Sequence, residues 1–436
     1  MVSPRLSVRQ EIRLGYIAFA LIAGWSLLHC WRGLFVYFSN DDIMNMYWAR
    51  ELSPGRLLLS ALVPFTTVYR PTGAVYYRCL YALFGLWPLP FRIVFYLLLA
   101  ATLVLLYKVA GPAVGVVAAF LGSFHSRFTD LYLNNGTIYD VLCGCFYLGA
   151  LYYYMRMRST GRSWGWRQYL VLYLLATAAL NAKEAGATLP LILLIYELLW
   201  HRKSYLWKPI LLVTLVMLAG TWARFEDGSR LMNNPAYGVH LNLGLSNTAA
   251  YLNDLFYLHW GALNAAGAVL IIACLFSIAA MARSKILLFW ALFILISPLP
   301  VMFIPHRGLY AYFLPVLGWA AFAASCTVYL RISQAVAVLL LAGALLFTHN
   351  RIVWNEAMPA NSMLCELHRG LLARVPSLPL GSRVLLLDDP LPPTWTALML
   401  VRLTYNDLSL NLIRPKQRGK AATPQEFATA DAVIRF

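Results

Sequence analysis

A chain of 436 residues that is 61% hydrophobic and only 12% charged lies outside the soluble globular range, where charged residues make up about a quarter. With a mean hydropathy of +0.64, it reads as a polytopic membrane protein. The formal charge of +17 does not point to nucleic acid, because Lys and Arg fall in short clusters between apolar runs rather than on one face of a soluble domain.

In chain order, Arg5, Arg9 and Arg13 precede an apolar run too long for a leader and lacking a small-residue cleavage site, so it reads as an uncleaved first span. A crossing takes about 20 apolar residues, which gives about eleven candidates. They run near 14–37, 91–110, 111–125, 137–155, 168–183, 185–200, 208–223, 260–282, 286–304, 309–330 and 333–348. The third is short and reads as tilted or re-entrant. With the N-terminus inside, the inner connections are Lys108, the run Arg156 to Arg167, the run His201 to Lys208, Arg283 with Lys285, and Arg331. They are basic, as the positive-inside rule asks. The acids Asp41, Asp42, Glu51, Asp130, Asp140, Glu184, Glu226, Asp227 and Asp254 fall outside, and Glu197 is the exception. A loop over 224–258, rich in Asn and Gly, reads as a short-helical lid.

The fold expected is an all-α polytopic membrane domain over 1–348, with a first outer loop at 38–90, followed by an extracytoplasmic segment over 349–436. Strand-like RVLLLDD and DAVIRF flank helix-like WTALMLVRLTY there, which predicts a small α/β appendage. The seven cysteines show no metal-ligand spacing, and only Cys79 and Cys365 fall in outer segments, where one disulfide could form.

Outer charges are where chemistry would sit, since a charge near a span needs an interfacial position or a task. Asp41 and Asp42 follow the first span directly. Neighbours on a helix diverge by about 100°, so only one of them can face a reacting group. Ser39-Asn40-Asp41-Asp42 can equally begin a helix as its cap, and the two readings are compatible. Tyr69-Arg70-Pro71 sets an arginine, a planar fork suited to phosphate, against the positive-inside trend, with Arg56 and Arg78 nearby as headgroup anchors or ligands. His125 to Asp140 carries Asp130 and Asp140; together with His125 these lack metal-ligand spacing, so no metal site is assigned and a divalent metal is left open. Lys183-Glu184 forms an outer hairpin, and His306-Arg307 precedes Tyr310 at another.

Taken together these stretches resemble the GT-C membrane glycosyltransferases. DDIMNMYWARE is similar to the acidic first-loop pattern of the protein O-mannosyltransferase and aminoarabinose transferase relatives, with Asp42 where those have Glu. YRPTGAVYY, HSRFTDLYLNNGTIYDVL, KEAGATLPLILLIYE and HRGLYAYFLP resemble, in the same order, segments of the O-mannosyltransferases that carry tetratricopeptide repeats. No such repeats follow here. The resemblance spans roughly 35–320 and implies a GT-C-like fold. It also implies transfer of a sugar from a polyprenyl-phosphate donor to a hydroxyl acceptor on protein, lipid or polysaccharide, with inversion.

Asp41 and Asp42 would be catalytic, with Asp41 the general base. Arg70, Arg307 and Lys183 would hold the donor phosphate, and Tyr69, Asp130, Asp140, Glu184, His306 and Tyr310 would complete the site. The expected partners are the lipid-linked donor, the acceptor and membrane lipids. The expected setting is a bacterial inner membrane with the site and C-terminus periplasmic. A transporter or flippase of lipid-linked sugar, or an inactive relative, is the alternative; a transporter should carry polar groups at the midplane of several spans, whereas here they gather at one face.

Overall fold

The computed structural model describes residues 8–161, 163–204, 206–226, 238–259, 261–305, 307–330, 332–351 and 358–436. Helix α1 (Val8–Cys30) passes through a 3-10 turn, Trp31–Phe35, into a loop that is itself helical. α2 (Asn40–Glu51) starts at Ser39. The Ser39 hydroxyl accepts from the Asp42 amide and the Asp42 carboxylate accepts from the Ser39 amide, a reciprocal cap that satisfies two otherwise orphan donors. α3 (Pro54–Leu62) begins on a Ser53 cap, buries Leu57 and turns Leu58, Leu59 and Leu62 outward, as a helix lying in a membrane interface would. α4 (Pro71–Phe84) is launched from Arg70 and ends at Gly85.

α5 (Pro88–Ala110) and α6 (Pro112–Ser123) form a hairpin at Gly111, whose φ of 82° is a conformation that glycine adopts without strain. A connection containing α7 (Thr129–Leu133) leads to α8 (Ile138–Ser159), α9 (Trp166–Ala182), α10 (Leu189–Trp200) and α11 (Trp207–Glu226). Beyond α12 (Leu243–Leu255), the bundle is completed by α13 (Ala265–Met281), α14 (Lys285–Ile296), the short α15 (Leu299–Met302), α16 (Phe313–Tyr329) and α17 (Gln334–His349). α8 is the central post: it packs on α4, α5, α9, α10 and α16, and its Leu148, Leu151 and Tyr154 are wholly buried.

Helices thus stand at all eleven expected positions, but many are shorter than a crossing. Among the described residues, Pro88–Ala110, Lys285–Met302 and Leu309–Tyr329 are each long and apolar enough to span, with a fourth if the bent pair Phe19–Phe35 and Asn40–Glu51 counts as one. One reason is local. The helices α8, α10 and α16 are each preceded by a 3-10 segment, Asn135–Thr137, Glu184–Thr188 and Leu309–Tyr312, which shortens the regular helix at one end. At the opposite ends of α8 and α10 lie the basic runs. Glu197, the stray acid, is resolved there: it is fully buried and accepts from Arg158 Nε (2.8 Å), Arg158 Nη2 (3.0 Å), Tyr154 Oη (2.8 Å) and the Leu206 amide (3.0 Å).

The tail carries α18 (Met358–Arg374), β1 (Arg383–Leu387), α19 (Thr396–Thr404), β2 (Asn411–Ile413), α20 (Pro415–Arg418), α21 (Pro424–Thr429) and β3 (Ala432–Arg435). The sheet is parallel in the order β2-β1-β3, with Val384 opposite Leu412 on one side and Ala432 on the other. A buried ion pair joins Arg414 to Asp389 (2.6 Å) beside it. α18 and α19 dock on α2. Cys79 and Cys365 are both free thiols, so the disulfide allowed by the sequence is not formed.

Removing Arg158 would strand the buried Glu197 carboxylate, a loss of about 3–5 kcal/mol. Arg158→Ala is therefore expected to lower the thermal unfolding midpoint in detergent strongly, and adding Glu197→Gln to recover part of the loss.

Candidate active site

On the face of the bundle that carries α2, the start of α8, the end of α9, the turn before α10, the end of α11 and the segment after α14 meet around one cavity of about 550 Å³. Alternating starts and ends are what antiparallel neighbours joined by short connections must present at one face. The segment between α1 and α4 closes the cavity through Asp41 and Arg70.

The two adjacent acids divide. Asp42 is fully buried: Oδ1 accepts from Tyr77 Oη (2.7 Å), and Oδ2 accepts from the Ser39 amide (2.8 Å) and hydroxyl (3.0 Å). The cap and the inward carboxylate are one arrangement, and Asp42 contacts no arginine through these bonds. Asp41, a turn angle away, is on the cavity wall. Its pKa is raised, first by burial among protein groups and then by the charges of Asp42 and Asp130, with Arg70 opposing. The turn opposite is held against it by Asn134, whose Oδ1 accepts from Ser39 Oγ (2.8 Å) and the Gly136 amide (2.9 Å). Gly136 has no room for a side chain, since a Cβ there would come within 2.9 Å of Asp41 Cβ.

Arg70 sits at φ 46°, a left-handed conformation uncommon for a residue with a Cβ and found disproportionately at functional sites. Its guanidinium forks onto Glu184, Nη2 to Oε2 at 2.9 Å and Nε to Oε1 at 3.3 Å, and lies 4.6 Å and 5.3 Å from the ring centres of Tyr69 and Tyr139. Burial alone would push the Glu184 carboxyl up, but Arg70 outweighs it and brings the pKa down to about 2. Lys183 pairs with Asp140, both nearly buried, and its Nζ is 5.7 Å from the Tyr310 ring centre. Arg307 and Tyr310 complete this side of the wall.

Of the residues singled out in the sequence, Asp41, Arg70, Asp140, Lys183, Glu184, Arg307 and Tyr310 thus share one cavity. Asp42 stands behind the wall, Tyr69 flanks Arg70 from outside, and exposed Asp130 is near enough to act on Asp41 by charge alone. His306 lies outside the described residues. His125 is engaged elsewhere: Nε2 is 3.0 Å from the Leu255 carbonyl, Nδ1 accepts from the Arg127 amide and the ring stacks on Tyr257. Among the described residues no three His, Cys, Asp or Glu side chains are grouped to hold a metal ion. Arg78 is a capping residue, its Nη1 binding the carbonyls of Ala49, Arg50 and Leu52 at the end of α2.

Arg224 is a further cation that the sequence alone does not single out. It lies on the cavity wall at the end of α11 and bonds to neutral acceptors, the carbonyls of Leu180 (2.9 Å) and Gly220 (3.2 Å) and Asn181 Oδ1 (3.1 Å). Its signal is the same as that of Arg70, an arginine against the positive-inside trend, but its place at the edge of the loop over 224–258 hides it. An apolar strip, Leu299, Pro300, Val301, Phe303 and Ile304, runs along the wall beside these cations.

Residues 70–222, about a third of the chain, match the family model described as dolichyl-phosphate-mannose-protein mannosyltransferase. The matched stretch begins at Arg70 and takes in Asp140, Lys183 and Glu184. Among solved structures, the oligosaccharyltransferase of Archaeoglobus fulgidus in its apo form aligns with 93% of this chain at 11% identity and a TM-score of 0.48. The present chain covers 65% of that one. No curated protein matches significantly.

Tyr77→Phe removes one of three donors to the buried Asp42. Hydrogen bonds to charged groups contribute about 1.5–3 kcal/mol, so a destabilisation of that order is expected in thermal or denaturant unfolding.

Proposed function

We propose that this protein transfers a sugar from a polyprenyl-phosphate carrier to a hydroxyl acceptor at the extracytoplasmic face, with inversion and with Asp41 as general base. The observation that carries this reading is the single cavity in which the Asp41 carboxylate faces a set of cations, Arg70, Lys183, Arg224 and Arg307, beside an apolar strip. A ligand matching those walls has an electrophile, an anionic group and an apolar tail, with the anion between the other two. A lipid-phosphate sugar has all three, and a nucleotide sugar lacks the tail.

In the proposed step the acceptor hydroxyl gives its proton to Asp41 as its oxygen forms a bond to the anomeric carbon. The bond from that carbon to the phosphate oxygen breaks, and its electron pair stays on the phosphate, which passes from a monoanionic diester to a dianionic monoester. The leaving group is a stable anion, so no general acid is required; what the step needs is positive charge held ready where the extra charge develops. Arg70 and Lys183 are already paired with Glu184 and Asp140, so they set the field and geometry. Arg224, bonded to neutral acceptors, is the cation best placed to exchange a carbonyl for a phosphate oxygen. Asp42 acts through position, fixing the start of α2. Attack and departure on opposite sides of the anomeric carbon invert it. This reading takes 1–348 as the membrane transferase domain, 349–436 as an extracytoplasmic segment, and the bacterial inner membrane with a periplasmic site as the setting.

The test is transfer of label from a panel of polyprenyl-phosphate sugars by purified protein in lipid. Asp41→Asn should lower turnover about 10²–10⁴-fold, the usual contribution of a positioned base, with donor binding retained. A folded wild type giving neither transfer nor donor hydrolysis with any donor would sink the proposal.

The pH profile gives a second test. Protonated Asp41 cannot accept a proton, so kcat/KM should fall as pH drops through its raised pKa, above the ordinary aspartate value of about 3.9. Glu184, held near 2, stays ionised throughout that window. Asp130→Asn removes one of the charges that raise Asp41, so the acidic limb should move to lower pH. A limb that stays in place would exclude Asp41 as the titrating base.

A further inference from the structure

The other end of α2 borders a second cavity of about 400 Å³, where α2, α4, α18 and α19 meet. Its walls bring together Arg50, Arg78, His368, Thr404 and Asn406, and no carboxylate among the described residues lines it. Burial disfavours the Arg78 charge, and Arg50 is close enough to add repulsion. Two like charges sharing a cavity without a counter-charge are unfavourable unless an anion joins them.

Their hydrogen bonds leave room for one. All three bonds of Arg78 run through Nη1 to backbone carbonyls, so Nε and Nη2 of its fork are not engaged by them. Arg50 bonds through Nη2 to Asn406 Oδ1 (2.6 Å). His368 meets Tyr37 Oη through Nδ1 (2.8 Å); when Tyr37 donates, Nε2 carries the hydrogen and is a donor.

We propose that this cavity is a binding site for a phosphate- or carboxylate-bearing ligand, held by Arg50, Arg78 and His368 at the seam between the bundle and the C-terminal segment. It is separate from the transfer cavity. Asp41 and Arg50 are nine residues apart on one helix, about 13 Å along its axis. The assignment does not depend on the transferase reading. Two sources fit the chemistry, an acidic group on a soluble glycan or an anionic lipid headgroup.

The experiment follows the thermal unfolding midpoint of the full-length protein in phosphatidylcholine nanodiscs. It is titrated with inorganic phosphate and, separately, with glucose 6-phosphate, and repeated in nanodiscs containing phosphatidylglycerol. A ligand that binds only the folded state raises the midpoint saturably. Arg50→Gln, which keeps a donor for Asn406, and His368→Gln should each weaken the response about tenfold, whereas Arg224→Gln in the transfer cavity should not.

An Arg50-dependent response to glucose 6-phosphate assigns the soluble source. One confined to phosphatidylglycerol discs assigns the headgroup. A response lost only in Arg224→Gln, or no Arg50-dependent response in any arm, overturns the proposal. Melting each variant without ligand separates loss of binding from loss of fold, and having two variants keeps the test open if one is unstable.

Discussion

The site depends first on how α2 begins. Asp42 is a carboxylate with no exposure, and such a group is tolerated only if its lone pairs are met. Ser39 and Tyr77 meet them, and in doing so they fix the first turn of α2 against α4. Tyr77 also reaches the Asn135 carbonyl (3.1 Å), and Asn134 bonds back to Ser39, so the turn that faces Asp41 is tied to the same network. Asp41 faces the cavity because its neighbour cannot.

Around that point the protein concentrates charge at the bundle's end in pairs rather than singly. Arg70 with Glu184 and Lys183 with Asp140 each cancel a charge that would be costly to bury alone. The pairs rest on non-helical backbone: Glu184 opens a 3-10 segment, Lys183 caps α9 and Arg70 stands in a left-handed corner. Gly73, one turn into α4, cannot take a side chain because the Tyr139 ring lies against it, which brings Tyr139 within reach of the Arg70 guanidinium. Irregular backbone at these helix ends lets side chains from distant chain segments converge without a rotation of the helices themselves. The net charge left facing the cavity is positive, which is what a phosphate group requires.

Much of this was legible in the sequence for one reason: charge against the topological trend is informative, because positive-inside bias and the cost of burial both work against it. Arg70 stands out that way, Arg307, Lys183 and Asp140 stand out as charges in short outer connections, and all four meet at one cavity. The helical positions were legible from apolar runs, although the helices came out shorter where 3-10 turns replace their ends. What the sequence did not carry was direction. Asp41 and Asp42 are the same residue type one step apart, and only the partners of Asp42, thirty-five residues away at Tyr77, decide which of them is inside. Arg224 was hidden by a misplaced boundary, since α11 runs to Glu226 rather than stopping at 223. His125 shows the converse: a lone histidine ahead of two acids can be occupied by a carbonyl and an aromatic ring.

The tail changes how the site should be regarded. A helix of twelve residues is marginal by itself in water, so α2 exists through its neighbours. Its start is held by Ser39 and Tyr77, and its end by Arg78 together with the C-terminal segment. There Arg402 donates to Tyr47 Oη (2.6 Å), Arg50 to Asn406, and Tyr81 to the Leu403 carbonyl (2.6 Å). Ile43, Met46, Tyr47 and Ala49 are buried in this sandwich. The direction of Asp41 is therefore set from both ends of a short helix, one end anchored in the bundle and the other in a module that follows the last helix of the bundle in sequence. An element that looked like an appendage is one wall of the scaffold that aims the carboxylate.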